Sequence, residues 1–269
     1  MKGLLILCGA ALMAVSANAT VVGYCLVTGG STCQASAAAA TEIGAAGMTA
    51  QALGGLAAAD LAGIDVLWIL NQNNGDPGTI VTNNVANITA FVTAGHVLSF
   101  HDRNVNQGLS AATYLPGGAG ISFTSLLNAD INIETAGTMV TNGPYGVITN
   151  TTLDGGNFSD HGYATLASLP GGAVAILNNG TAGNIVDFYY RVGAGAVYYS
   201  SIPFDFYLTG GNDPPRTSIL NIYGRNELTF QASLGVPEPT TVILVSGGLL
   251  GLGFLRRRRE IRSRFFNRG

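Results

Sequence analysis

Three groups of side chains in this 269-residue chain have the types and spacing to do chemistry. The first is Ser99, His101 and Asp102, at the end of an apolar run over residues 96–100. If that run is a strand of an open α/β sheet, its carboxyl end faces the usual ligand crevice. His101 could act there as a general base, with Asp102 orienting it. Neighbours on an extended strand point to opposite faces, so the two need not touch. The second group is Asp154-Gly155-Gly156-Asn157-Phe158-Ser159-Asp160-His161. Oxygen donors such as Asp154, Asn157 and Asp160 suit Ca²⁺, the one cofactor the sequence suggests. The spacing lacks the alternating acids and closing Glu of an EF-hand loop, and a plain polar turn accounts for the run more simply. His161 could alternatively complement His101 across the crevice. The third group is Cys25 and Cys33, eight positions apart. In an oxidising compartment a short-loop disulfide is the simple reading, with two free thiols as the alternative.

Charge narrows the partners. Between Thr20 and Val236 there are four Arg, no Lys and 13 Asp or Glu, a net of −9 with His neutral. An acidic body without lysine cannot neutralise a phosphate backbone, which excludes nucleic acid as a partner. Only 10% of all residues are charged, with 47% apolar and a mean hydropathy of +0.34. Disorder driven by charge is thereby excluded.

The two ends read as addresses. Residues 1–19 have the form of a secretory signal peptide: Lys2, an apolar stretch over residues 4–15, and a small-x-small site at Ala17-Asn18-Ala19, with cleavage between Ala19 and Thr20. At the other end, Pro237, Glu238 and Pro239 precede the uncharged residues 240–255, followed by Arg256, Arg257, Arg258 and Arg259. A helix over 240–255 would span roughly 24 Å, short of a ~30 Å hydrocarbon core but within reach of snorkelling arginines and local thinning. The arginines hold that end in the cytoplasm, and the signal peptide places the body outside. The tail resembles the PEP-CTERM sorting signal of exported bacterial proteins, with Pro-Glu-Pro as its motif, 240–255 as its short apolar helix and 256–269 as its basic tail. Family tails usually stop soon after the arginines, whereas this one continues through residues 260–269. The resemblance implies processing by an exosortase at the inner membrane of a Gram-negative bacterium that makes exopolysaccharide. It divides the chain into a signal peptide (1–19), an ectodomain (20–236) and a sorting signal (237–269).

The ectodomain must position the candidate residues. Residues 21–27 and 66–70 are apolar runs of the kind found in parallel strands covered on both faces, and 97–100 ends in the His101 group. Between them lie the alanine-rich residues 36–61, which favour a helix, and a segment with Val85, Ile88 and Val92 at helical spacing, capped by Asn83 or Asn84 and stopped at Gly95. Later strands are expected at 173–177, 185–191 and 196–201, the last two joined through Gly193-Ala194-Gly195. Ile219, Ile222, Tyr223 and Phe230 predict a closing helix over 216–232, while 107–152 has no readable period. Strand–helix steps in series predict a single doubly wound, mainly parallel α/β sheet with helices on both faces.

The order strand, helix, strand, helix, then Ala94-Gly95-His96-Val97-Leu98-Ser99-Phe100-His101-Asp102, resembles class I glutamine amidotransferase-like domains, as does the late segment VGAGAVYYSSIPFD at 192–205. The resemblance implies an amidotransferase/flavodoxin-like fold. An active member needs a cysteine on the strand-to-helix elbow, and no cysteine follows Phe100; His101-Asp102-Arg103 stands there instead. The expectation is that the domain does not hydrolyse glutamine.

Two function classes follow. One is a non-enzymatic cell-surface or extracellular-matrix protein that binds exopolysaccharide or another surface protein. The other is an exported hydrolase or transferase that uses His101 and its neighbours. The missing thiol and the Asn/Thr/Gly-rich, charge-poor composition favour the first.

Overall fold

Strand β1 (Val21–Val27) is buried along nearly its whole length. Strands β3 (Val66–Asn71) and β4 (Val97–Asp102) are buried at every position. Such strands need cover on both sides, because each successive side chain faces the opposite way. In the computed structural model, which describes residues 19–105, 108–156, 158–211 and 213–235, these three pair in parallel as neighbours. Strand β2 (Thr49–Ala52) pairs in parallel outside β1 as a mostly exposed edge. The alanine-rich segment therefore departs from expectation: only α1 (Ala37–Ala45) is helical, started by the Ser36 hydroxyl accepting from the Ala39 amide. Gly47, at φ +79°, ends the helix, and the chain turns back into β2. Helices α2 (Thr79–Thr82) and α3 (Val85–Thr93) link β3 to β4. Asn84 precedes α3 without capping it; its amide donates instead to the Ile80 carbonyl.

After β4 the pattern changes. Residues 107–152 hold β5 (Phe123–Asn128), β6 (Asn132–Ile133), β7 (Asn142–Gly143) and β8 (Gly146–Val147), followed by β9 (Asp160–Thr165). Next come β10 (Val174–Asn178), β11 (Asn184–Val192) and β12 (Gly195–Ser200). A two-residue turn joins β11 to β12, and its Gly193 sits at φ +60°, where a glycine carries no Cβ penalty. Helix α4 (Phe204–Leu208) follows, and then α5 (Arg216–Ser218), a π-helical turn over Ile219–Gly224, and α6 (Arg225–Leu234) run on from one another.

The sheet order is β2-β1-β3-β4-β12-β11-β10-β6, with β9 also paired to β11 and β5 to β9. β12 joins β4 in parallel, but every pairing beyond β12 is antiparallel, so five of the nine pairings in this ten-stranded sheet are antiparallel. The expected doubly wound, mainly parallel sheet is thus corrected to a mixed sheet with few and short helices. The physical reason lies in the connections. A parallel pairing needs a crossover of a dozen or more residues, usually a helix, and the Gly/Thr/Asn-rich region after β4 has no apolar helical period to build one. The expected membrane-spanning helix at 240–255 lies outside the described residues, and among those residues no helix is long and apolar enough to cross a membrane.

Two apolar layers flank the sheet. Leu67, Ile69, Leu98, Phe100 and Tyr199 form one, with Ile88, Phe91 and Val92 of α3 and with Tyr114 and Leu115 from the loop after β4. Val66, Trp68, Leu70, Val97 and Tyr198 form the other, against α1, α4 and α6. Where helices are missing, loops and the β5–β9 pair provide the cover.

Candidate functional site

Strand alternation sends the expected catalytic residues apart. Ser99 and His101 point to the α6 face, and Phe100 and Asp102 to the opposite one. His101 is 1% exposed and packs among Trp68, Phe204 and Tyr223. Its Nε2 lies 2.8 Å from Glu227 Oε1, and its Nδ1 lies 3.4 Å from the Ile202 carbonyl. The Ser99 hydroxyl and the Gln231 amide donate to the same Glu227 oxygen. Beside this cluster Asp187 accepts from the Tyr198 hydroxyl at 2.6 Å, and burial, reinforced by the Glu227 carboxylate, pushes its pKa well up. This buried polar network ties α6 to the sheet. Sequence reading missed Glu227, which stands 126 residues beyond His101.

Asp102 is equally buried. Its Oδ1 accepts from the Asn71 amide at 3.0 Å and from the Asn104 backbone N–H at 3.0 Å, while its Oδ2 accepts from the Tyr199 hydroxyl at 3.2 Å. Burial raises its pKa despite those bonds. It buttresses the turn that leaves β4 and does not orient His101.

Of His101, Asp102 and His161, His161 lines a cleft and the other two do not line it. That cleft, of about 690 Å³, opens at the carboxyl ends of β3, β4 and β12, lined by Asn74, Arg103, Asn104, Pro203, Phe206 and Asp213 from the segments that follow those strands. Ser125 and Leu127 of β5, Phe158 and His161 complete it. The His161 Nδ1 lies 2.8 Å from the Arg103 carbonyl. A carbonyl only accepts, so Nδ1 carries the proton and Nε2 is left as an acceptor. Burial, with the Arg103 charge adding to it, lowers the His161 pKa to about 4, so the ring is neutral at pH 7. A base with so low a pKa has little driving force to take a proton at neutral pH.

Arg103 crosses the cleft floor. Its guanidinium reaches Asp205 Oδ2 at 3.3 Å and lies 5.6 Å from the Phe206 ring centroid. Burial lifts the Asp205 pKa to about 6 although the Arg103 charge opposes the shift. Phe158 is 47% exposed on the cleft wall, and Asn104, 6% exposed, has an amide nitrogen with no acceptor in the described protein. Sequence reading missed Arg103, Asn104 and Phe206 as site residues and had Phe158 only as part of the polar run at 154–161. Arg103 did carry a signal, as one of four Arg or Lys residues between Thr20 and Val236 and the residue directly after Asp102.

Of the candidate Ca²⁺ ligands, Asp154 Oδ1 accepts from the Ile131 amide, 23 residues away, and Asp160 Oδ1 from the Gly162 amide two residues on. Asn157 lies outside the described residues. Among those residues no group of three His, Cys, Asp or Glu side chains could hold a metal. Cys25 and Cys33 are joined by a disulfide, which fixes the segment leaving β1 at the same carboxyl edge of the sheet.

The described domain is a mixed α/β domain with a cleft at the carboxyl edge of its parallel strands, lined by one arginine and one aspartate beside uncharged side chains. No family model matches the chain, and no curated protein does. It is similar in structure to a cytoplasmic protein from Salmonella typhimurium LT2, with a TM-score of 0.51 and 10% identity over 81% of this chain and 100% of that chain. A second cytoplasmic protein, from Salmonella typhimurium, matches with a TM-score of 0.52 and 9% identity over 81% of this chain and 100% of that chain. At such identities the likeness is one of fold alone.

Proposed function

We propose that this is an exported, exosortase-processed protein of the cell surface or extracellular matrix, and that its ectodomain is a non-enzymatic binding module associated with exopolysaccharide. The observation that carries the binding reading is the separation of His101 from the cleft. The His101 imidazole is walled in by Trp68, Phe204 and Tyr223, while the cleft itself is lined by Asn, Ser, Arg, Asp and aromatic side chains and by His161, whose lowered pKa makes it a weak base. Amides and rings lining a concave site are a setting for ligand recognition. The reading of export and sorting rests on Ala17-Asn18-Ala19, Pro237-Glu238-Pro239 and the four arginines at 256–259.

Two measurements on protein from the native host test this. Intact mass spectrometry should find residues 1–19 and the residues after about Pro239 removed. Retention of Arg256–Arg259 on surface-exposed protein would leave a simple anchor in place of exosortase sorting. Co-sedimentation with the host's own exopolysaccharide should retain the protein, and turnover of that polymer by the purified wild type would overturn the non-enzymatic reading.

A further inference from the structure

The chemistry of the cleft goes further than the general binding reading, on which it rests. We propose that the cleft takes an uncharged glycan segment, with one sugar ring stacked on Phe158, and that it discriminates against uronic acids.

Four observations converge. First, Phe158 lines the cleft and is 47% exposed, with His161 edge-on beside it at 6.3 Å between ring centroids. An aromatic face left open beside polar groups suits the C–H face of a pyranose, which is apolar while the ring's edge is polar. Second, the Phe206 ring is already occupied by the Arg103 guanidinium, so Phe158 is the ring free to stack. Third, the polar groups come in both senses. Asn104 has an unmet amide donor, Asn74 and Ser125 add further donors and acceptors, and His161 keeps one ring nitrogen as an acceptor. Hydroxyls donate and accept at once, and this mixture matches them.

The fourth observation is charge. Arg103 is the one cation lining the cleft, and Asp205 already holds it at 3.3 Å. An anionic sugar would have to compete with Asp205 for Arg103 within an ectodomain of formal net charge −9. An uncharged sugar meets no such obstacle.

The test uses the mature protein purified from an exporting host, on a microarray of neutral hexose, N-acetylhexosamine and uronic acid oligosaccharides, followed by titration calorimetry on the strongest hit. The expected result is binding to a neutral glycan whose affinity changes less than twofold between 50 and 500 mM NaCl. Phe158→Ala should weaken it at least tenfold, and Phe158→Tyr should restore it. Because Phe158 is surface-exposed, its loss leaves the fold intact, which circular dichroism checks. Preferential, salt-sensitive binding of uronic acids that is lost in Arg103→Met would overturn the uncharged-glycan proposal and keep the binding module. Neutral-glycan binding indifferent to Phe158 would place the ligand elsewhere and overturn the proposal alone. Binding to no glycan on the array would overturn both.

Discussion

Asp160 offers a sharp test of how the β9 segment is held. Its side chain is fully buried, Oδ1 accepts from the Gly162 amide at 3.2 Å, and Oδ2 has no partner in the described protein. Burial lifts the carboxyl from 3.8 to about 8, with the Asp130 carboxylate adding to the rise, so the group holds its proton in the native state at pH 7. In the unfolded chain it ionises near 3.8. Below that pH both states are protonated and nothing is lost. As pH rises toward 8, unfolding releases a proton and becomes progressively easier, and above about 8 the penalty is constant. Each pH unit between the two values is worth ~1.4 kcal/mol, giving an upper limit of about 4 kcal/mol by pH 7.

Asp160→Asn removes this titration. The new amide nitrogen needs an acceptor and could cost about 1–3 kcal/mol, but that cost is the same at every pH. The stability difference between variant and wild type should therefore move in the variant's favour by about 2–4 kcal/mol between pH 4.5 and 7.5. Urea denaturation followed by Trp68 fluorescence measures it, since Trp68 is the single tryptophan and is wholly buried. The His161 titration, whose cost appears as pH falls toward about 4, is common to both proteins and cancels. A difference that stays constant within 0.5 kcal/mol across that range would refute the account of Asp160 as a buried, protonated carboxyl.

Two further outcomes follow from the same structure. The Cys25–Cys33 disulfide closes a loop over a separation of eight residues, so Cys25→Ser with Cys33→Ser should lower stability by about 2–3 kcal/mol, and reduction of the wild type should match it; equal urea midpoints with and without reductant would contradict this. His101→Ala opens a cavity beside Trp68 and strips Glu227 of one partner, for an expected loss of about 3–5 kcal/mol in thermal or urea unfolding. A loss below 1 kcal/mol would show that Ser99 and Gln231 satisfy Glu227 without the imidazole.

What the sequence disclosed was set by burial. Residues 21–27, 66–70 and 97–100 are strands because unbroken apolar runs of that length bury both faces, and the Gly193 turn marks β11 and β12 as a hairpin. The alanine-rich stretch misled, because alanine favours helix intrinsically whereas the edge beside β1 was open to a strand. Strands of two residues, such as β6, β7 and β8, have no periodicity to read, and their pairing is settled by tertiary contacts. The partners of His101 were hidden for another reason. Glu227 and Gln231 sit one helical turn apart on α6, a spacing shared by countless surface helices, and only packing against β4 makes them a buried pair.

The position of the cleft follows from the same strand. Along β4, side chains alternate between two filled layers, so Ser99 and His101 are consumed by the α6 network, and Phe100 and Asp102 by the opposite core. A residue inside a strand covered on both faces has no route to solvent whatever its chemistry. Arg103 and Asn104 are the first residues past the strand's end, where the neighbouring β3 and β12 also stop and their exit loops diverge. There the backbone leaves the sheet, and side chains no longer have to choose between two cores. One step along the chain thus separates residues that hold the fold from residues that line the cleft. The Asp102 carboxylate links the two roles, because it accepts the Asn104 backbone N–H and so sets the turn that presents Arg103 and Asn104 to the cavity.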